Sequence, residues 1–156
     1  MEATTTINAS FTHSQSKNAT DEIVNQIMKI GQFSNLPDDW DSYGGKAISY
    51  EICAKAAQYL YAAFKELSTE LVPVEMPFIA PAGDGSIVFE WTSDKAELIV
   101  VFRPDAQLDV EYLTVEKTGD TESEKEGVFS SVTSFVQAVK WFSLCQSLIG
   151  NALHVV

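Results

Sequence analysis

Apolar residues recur every three to four positions in three parts of the chain, and this spacing is the period of an amphipathic helix. The helices predicted from it are Asp21–Ile30, Ser49 to just before Pro73, and Ser130 or Ser131 to Gly150. Ser49 is a suitable N-cap, because its hydroxyl can accept a hydrogen bond from the first turn. Pro73 and Gly150 are typical of the residues that follow or end a helix.

Between the second and third predicted helices the apolar period changes to two, which is the period of a β-strand. The strands predicted here are Pro77–Ala80, Ile87–Thr92, Ala96–Arg103 and Leu108–Glu116. The links between the later strands are only a few residues long, and short links favour antiparallel neighbours. The chain is therefore predicted to be a two-layer α+β domain of order ααββββα, with an antiparallel meander of three to four strands and helices on one face.

Strand alternation divides the side chains of the predicted meander between two faces. One face is strongly apolar and is expected to meet the helices: Ile87, Phe89, Trp91, Leu98, Val100, Phe102, Leu108, Val110 and Tyr112. The other face mixes acids with aliphatic residues: Val88, Glu90, Glu97, Ile99, Val101, Asp109, Glu111 and Leu113. This second face is therefore the predicted outer face.

Three polar segments lie outside these elements. Residues 1–19 are rich in Ser, Thr and Asn and are predicted to be a flexible N-terminal arm. Residues 118–127 are polar and acidic and are predicted to be a mobile loop. The predicted organisation is therefore an arm, a single domain over residues 20–150 and a C-terminal tail over residues 151–156.

The chain has 22 acidic and 10 basic side chains, so its formal net charge is −12. Its one arginine is Arg103, and neutralising phosphates takes clustered Lys and Arg, so direct binding to nucleic acid or to an anionic membrane is not expected. No apolar run long enough for a membrane helix and no secretion signal is present, which predicts a cytoplasmic protein. Cys53 and Cys145 are then expected to be reduced thiols.

The sequence offers little for catalysis or for a cofactor. Its two histidines, His13 and His154, fall in the predicted arm and tail, and no Gly-x-Ser-x-Gly motif is present. Residues 82–85 (AGDG) precede a strand rather than a helix, which favours a hairpin turn over a phosphate loop. The two cysteines are too far apart in sequence for a zinc motif. We therefore expect no cofactor, no metal and no catalytic residue.

Two groups of acids keep alternatives open. Asp38, Asp39 and Asp41 surround Trp40 in a loop where the carboxylates could cap a turn, contact a partner or hold a hard cation. The spacing of an EF-hand calcium loop is missing there, which favours the turn. A pair such as Glu90 with Glu97 or Glu111 could support carboxylate-based hydrolysis, although acids on an exposed sheet face are usually solvating.

Residues 36–45 (LPDDWDSYGG) and 81–91 (PAGDGSIVFEW) carry two local signatures. Together they resemble an uncharacterised family of small bacterial and phage-borne proteins, over roughly residues 33–117. The chain departs from the family pattern at Gly45, where the family has Ala, and at Ser86, where it commonly has Gly. The resemblance implies a fold and an origin, and because no activity is established for the family it transfers no catalytic residue.

The acids are concentrated between Asp84 and Glu126, where 12 acids and four bases give a net charge of −8. A face that mixes carboxylates with aliphatic side chains suits a basic protein groove, and the charge would speed the encounter. The residues predicted to contact a partner are Glu90, Glu97, Asp109, Glu111, Glu122, Glu124, Glu126, Asp38, Asp39 and Trp40.

These patterns predict a non-enzymatic acidic binding protein that neutralises or inhibits a basic partner. Such a partner could itself bind nucleic acid, as a toxin, a nuclease or a CRISPR effector does. Two alternatives stay open. The first is a homo-oligomeric accessory protein, such as a homodimer, that buries the outer aliphatic residues against a second copy. The second is a carboxylate- or metal-dependent enzyme.

Overall fold

The computed structural model describes residues 5–104 and 109–152, and the side chains of residues 18–104 and 109–147. The helices are α1 (Thr5–Gln32), α2 (Tyr50–Thr69) and α3 (Val132–Ala152), with a short 3-10 helix at Phe33–Asn35. The strands are β1 (Phe78–Pro81), β2 (Ile87–Thr92), β3 (Ala96–Phe102), β4 (Val110–Thr118) and β5 (Thr121–Val128). They form one antiparallel meander in chain order. The predicted two-layer α+β class is confirmed, with five strands rather than three to four.

The fifth strand replaces the mobile loop predicted for residues 118–127. β4 continues to Thr118, and β5 pairs with it from Thr121 onwards. Gly119 has a φ of 61°, which glycine adopts at no steric cost, and Thr121 Oγ1 donates a hydrogen bond to Thr118 O at 2.8 Å. The strand was missed because most of its residues are polar and exposed on both faces, so it carries no apolar period.

The apolar face of the sheet packs against α2 and α3. Four phenylalanine rings are almost completely buried and come from both layers: Phe89 and Phe102 from the sheet, and Phe135 and Phe142 from α3. The rings of Phe89 and Phe102 lie 4.8 Å apart, within the range of favourable aromatic pairs. The predicted inner residues are buried except for Tyr112, which is half-buried, and Leu108, which lies outside the described residues.

The helix boundaries agree with the sequence pattern at α2 and differ at α1 and α3. Ser49 is the N-cap of α2, and its side chain accepts a hydrogen bond from Ile52 N at 3.2 Å. α1 begins at Thr5 rather than Asp21, so it includes most of the predicted arm, whose polar composition gave no amphipathic period. α3 continues past Gly150, which a helix tolerates at a cost of about 1 kcal/mol. The division into arm, domain and tail stays a prediction.

Two smaller observations bear on the setting of the protein. Within the described ranges, no helix is long and apolar enough to cross a membrane. Cys53 and Cys145 are both free, and burial raises the pKa of each thiol. A raised pKa keeps these thiols protonated and unreactive at neutral pH.

Candidate functional site

The register of the meander gathers seven acids on the outer face of the sheet. Glu90 lies in one cross-strand row with Ile99, Leu113 and Glu126, and Glu97 lies in another with Val115 and Glu124. The seven residues, which we call the acidic face, are Glu90, Glu97, Asp109, Glu111, Glu122, Glu124 and Glu126. Asp109 precedes β4 and continues its register, since its backbone O accepts a hydrogen bond from Arg103 N at 3.2 Å. Seven of the ten predicted contact residues therefore share one surface, and three of them come from β5, the strand that replaced the predicted loop.

An aliphatic band runs between these acids. Its members are the outward-facing residues of β2, β3 and β4: Val88, Ile99, Val101, Leu113 and Val115. Val115 is only 5% exposed, and the other four are half-buried. Helices α2 and α3 pack on the opposite face of the sheet, and α1 packs mainly against α2. An apolar strip with a charged surround is typical of a contact surface.

Two basic residues neutralise part of the acidic face. Arg103 donates to Glu111 Oε2 through Nε at 2.9 Å and Nη2 at 2.8 Å, and through Nη1 to Asp84 Oδ2 at 2.9 Å. Lys117 Nζ donates to Glu97 Oε1. These hydrogen bonds raise the pKa of both cations. Burial alone would raise the pKa of Asp84, but the hydrogen bond from Ser86 N and the charge of Arg103 bring it below its usual value.

The acids of β5 are the unneutralised part of this surface. Glu122, Glu124 and Glu126 are exposed, and none of them forms a hydrogen bond or an ion pair with another described side chain. Glu122 does contribute to the electrostatic field that raises the pKa of Lys117. The three carboxylates are therefore available to cations from outside the chain.

The other three predicted contact residues, Asp38, Asp39 and Trp40, lie in a separate loop. Asp38 Oδ1 accepts from Ala47 N at 3.1 Å, and Asp39 Oδ1 accepts from Gly44 N at 2.7 Å. Trp40 Nε1 donates to Lys46 O at 3.0 Å. The polar atoms of these three side chains thus hold the loop together. This is the arrangement expected if the acids of the cluster cap a turn.

Asp41 is the central acceptor of this loop. Its Oδ1 accepts from Tyr43 N at 2.9 Å and from Gly45 N at 2.8 Å, and these two bonds hold the pKa of its carboxyl below the usual value. The loop also contacts the turn before β2, where Lys46 N donates to Gly83 O at 2.9 Å. The two sequence signatures therefore form one structural unit at an end of the sheet.

Sequence reasoning missed the residues that organise the site, namely Arg103 with its partner Asp84, and Lys117. Arg103 could have been singled out from the sequence, because it is the only arginine in an acidic chain. Its partners Asp84 and Glu111 are distant in sequence from each other and meet only through the register of β2, β3 and β4. No local pattern could have predicted that contact.

The proposed carboxylate pairs do not form isolated acid pairs. Glu97 is bound to Lys117 and Glu111 to Arg103, while Glu90 accepts a hydrogen bond from Thr92 Oγ1 at 3.1 Å. Glu90 and Glu111 are separated by β3. In the part of the chain that the structure describes, no group of three or more His, Cys, Asp or Glu side chains is arranged to hold a metal ion.

Comparison with protein-family models, with curated proteins and with solved structures gave no match. The protein is therefore assigned to a fold class only: it is a two-layer α+β domain whose five-stranded meander presents an acidic outer face. The resemblance carried by residues 36–45 and 81–91 stays a prediction.

Proposed function

We propose that the protein is a non-enzymatic acidic binding protein that holds a basic protein partner against the outer face of its sheet. The observation that carries this proposal is the joint placement of seven acids and an aliphatic band on one face that α2 and α3 leave uncovered. Carboxylates steer a basic partner and fix its orientation, while the aliphatic band supplies apolar area to bury. Inhibition of a partner that itself binds nucleic acid, in the cytoplasm, is the setting that the sequence predicts.

The ion pairs divide the acids of this face into two groups, paired and unpaired. Glu97 and Glu111 are held by Lys117 and Arg103, so they contribute a fixed and partly neutralised frame. Glu124 and Glu126 have no such partner among the described residues, so no ion pair there offsets them. The gain in binding should therefore come chiefly from the β5 side of the face.

A capture experiment with matched charge variants tests the proposal. The immobilised protein is exposed to a lysate of its source organism at low ionic strength and at about 1 M salt, where screening acts within about 3 Å. We expect wild type to retain a basic protein at low salt and to release it at high salt. The double variant Glu124→Lys/Glu126→Lys should lose that protein.

The matched control is Glu22→Lys/Glu66→Lys, which changes two exposed helical acids and shifts the net charge equally. It should retain the partner, because the charge is changed away from the acidic face. Equal loss in both variants would show that net charge rather than this face is responsible. Retention of no basic protein at low salt would contradict the proposal as a whole.

Self-association is the second candidate, and the aliphatic band is the observation that favours it. Two copies could bury Ile99, Leu113 and their neighbours against one another. Light scattering over a range of concentrations separates the two functions. A dimer that dissociates in Leu113→Lys would support self-association, whereas a strict monomer at high concentration rejects it and leaves the band to a different protein.

A further inference from the structure

We propose that the free edge of β5 receives an extended segment of the basic partner as a sixth strand, with Lys or Arg at every second position and small or apolar residues between them. This inference rests on the proposed function and names the site and the sequence pattern that it would recognise. It commits to strand addition, in which main-chain hydrogen bonds supply affinity and alternate side chains supply specificity.

The outward edge of β5 is unpaired. β5 is the last strand of the meander and pairs only with β4 among the described residues. Phe129 N donates to Val110 O at 2.9 Å, and this bond sets the phase of the ladder between the two strands. Odd-numbered residues of β5 direct their N–H and C=O groups at β4, because hydrogen-bonded pairs in an antiparallel ladder recur at every second residue. The even-numbered residues therefore direct theirs at the open edge.

The edge-facing backbone groups belong to the residues that carry the acids. These residues are Glu122, Glu124 and Glu126, followed by Val128. A residue that exchanges both hydrogen bonds with Glu124 lies directly opposite it, and its side chain points to the same face at a Cβ separation of about 4.5–5.5 Å. A basic side chain at that position meets the carboxylate. Three such positions in succession select a basic residue at every second place.

The other face of an added strand would lie beside a groove between β4, β5 and α3. The groove has a volume of about 480 Å³ and is lined in part by Tyr112, Phe129 and Trp141. The rings of Tyr112 and Phe129 are stacked with centroids 4.5 Å apart. Lys125 also lines the groove, and its positive charge disfavours a basic residue on this side. The groove thus favours small or apolar side chains at the intervening positions.

Charge also decides against a second copy of this chain as the occupant. Pairing two β5 edges would place the glutamates of one copy opposite those of the other, and like charges directly opposite each other destabilise a sheet. The edge of β1 is a weaker site, since β1 has four residues and ends in Pro81, which has no N–H to donate. The observations therefore favour a basic partner at β5.

Synthetic peptides of the length of β5, 8 residues, test the proposal. One alternates Lys with Val, and the other has the same composition with the lysines in one block. Fluorescence anisotropy at low ionic strength should give a dissociation constant about tenfold lower for the alternating peptide, because only it matches each glutamate while keeping Val on the groove side. Glu124→Lys should weaken binding of the alternating peptide, whereas Glu22→Lys should not.

Backbone methylation of the alternating peptide separates strand addition from diffuse charge attraction. Methylating the nitrogens of the lysines removes the N–H groups that would bond to β5, whereas methylating those of the valines leaves them intact. We expect only the first change to abolish binding. Equal affinities for the alternating and block peptides, with no difference between the two methylation patterns, would overturn the edge site and leave the proposed function standing. No binding of either peptide also overturns the edge site, and the capture experiment then decides the proposed function separately.

Discussion

The loop at residues 38–46 and strand β5 are both rich in acids, but they use their carboxylates in opposite ways. In the loop, the carboxylates of Asp38, Asp39 and Asp41 accept backbone N–H groups. In β5, the carboxylates of Glu122 and Glu124 accept none from the described residues, because the backbone donors of a strand bond to the neighbouring strand or face the free edge.

The difference teaches that an acid's role depends on the backbone donors within its reach. Asp has a short side chain that bonds to nearby N–H groups in a turn, and Asp39 and Ser42 there adopt the positive φ values that such a turn needs. A Glu on a strand extends away from its own backbone and stays available to solvent or to a partner. We therefore expect changes in the loop to alter stability and changes in β5 to alter binding.

The largest expected effect on stability is that of Asp41→Ala. It removes the acceptor for Tyr43 N and Gly45 N and the carboxylate that lies near Gly83, so three parts of the loop and turn lose their common contact. Thermal unfolding followed by circular dichroism should show a fall in Tm of several degrees. An unchanged Tm would contradict a structural role for this loop.

A smaller loss is expected for Gly45→Ala. A Cβ at this position would lie 2.7 Å from Asp41 Cγ, so the carboxylate must move and its hydrogen bonds must lengthen. Gly31→Ala is the matched control, because a Cβ there meets nothing within 4 Å. Alanine stabilises a helix by about 0.5–1 kcal/mol relative to glycine, so the control should raise the unfolding free energy slightly. Equal effects of the two substitutions would show that Gly45 is not constrained by Asp41.

The pH dependence of stability should isolate the contribution of the Asp41 carboxylate. Its pKa is lowered in the folded protein from a reference value of 3.8, so the stabilisation is fully present above that value and is lost as the pH falls through the folded pKa. We expect Asp41→Asn, whose amide oxygen can still accept a hydrogen bond, to show a smaller loss of Tm than wild type on acidification below the reference value. Parallel curves for the two proteins would contradict the assignment.

The smallest effect on stability is expected in β5. Successive side chains on one face of a strand lie about 7 Å apart, so Glu122, Glu124 and Glu126 repel one another weakly. The triple variant with Gln at these positions should keep the wild-type Tm or raise it slightly at low ionic strength. A marked loss of Tm would show that these acids stabilise the fold, and the contrast with the loop would then fail.

The sequence pattern predicted the placement of a side chain correctly where buried and exposed positions alternate with the period of the strand or helix. The inner positions from Ile87 to Phe102, the Ser49 cap and the outer placement of Glu90 and Glu97 follow from alternation or from local capping chemistry. β5 was not predictable in this way, because its stability comes from pairing with β4 and its residues show no apolar alternation.

The arrangement of the site was only partly predictable for a related reason. Parity along each strand placed the acids on one face, but the contact between Arg103 and Asp84 depends on the register between strands. The hydrogen bonds of Asp38 and Asp41 depend on the path of an irregular loop. Local sequence rules specify the element and the face, whereas these contacts depend on tertiary packing.

The most direct test of the contrast between loop and strand is an amide NMR titration of isotope-labelled protein with the alternating Lys–Val peptide. We predict that the amide signals of Glu122, Glu124, Glu126 and Val128 shift most, since their N–H groups face the free edge, and that the signals of residues 38–46 stay in place. Shifts concentrated in residues 38–46, or spread evenly over all exposed acids, would contradict the account.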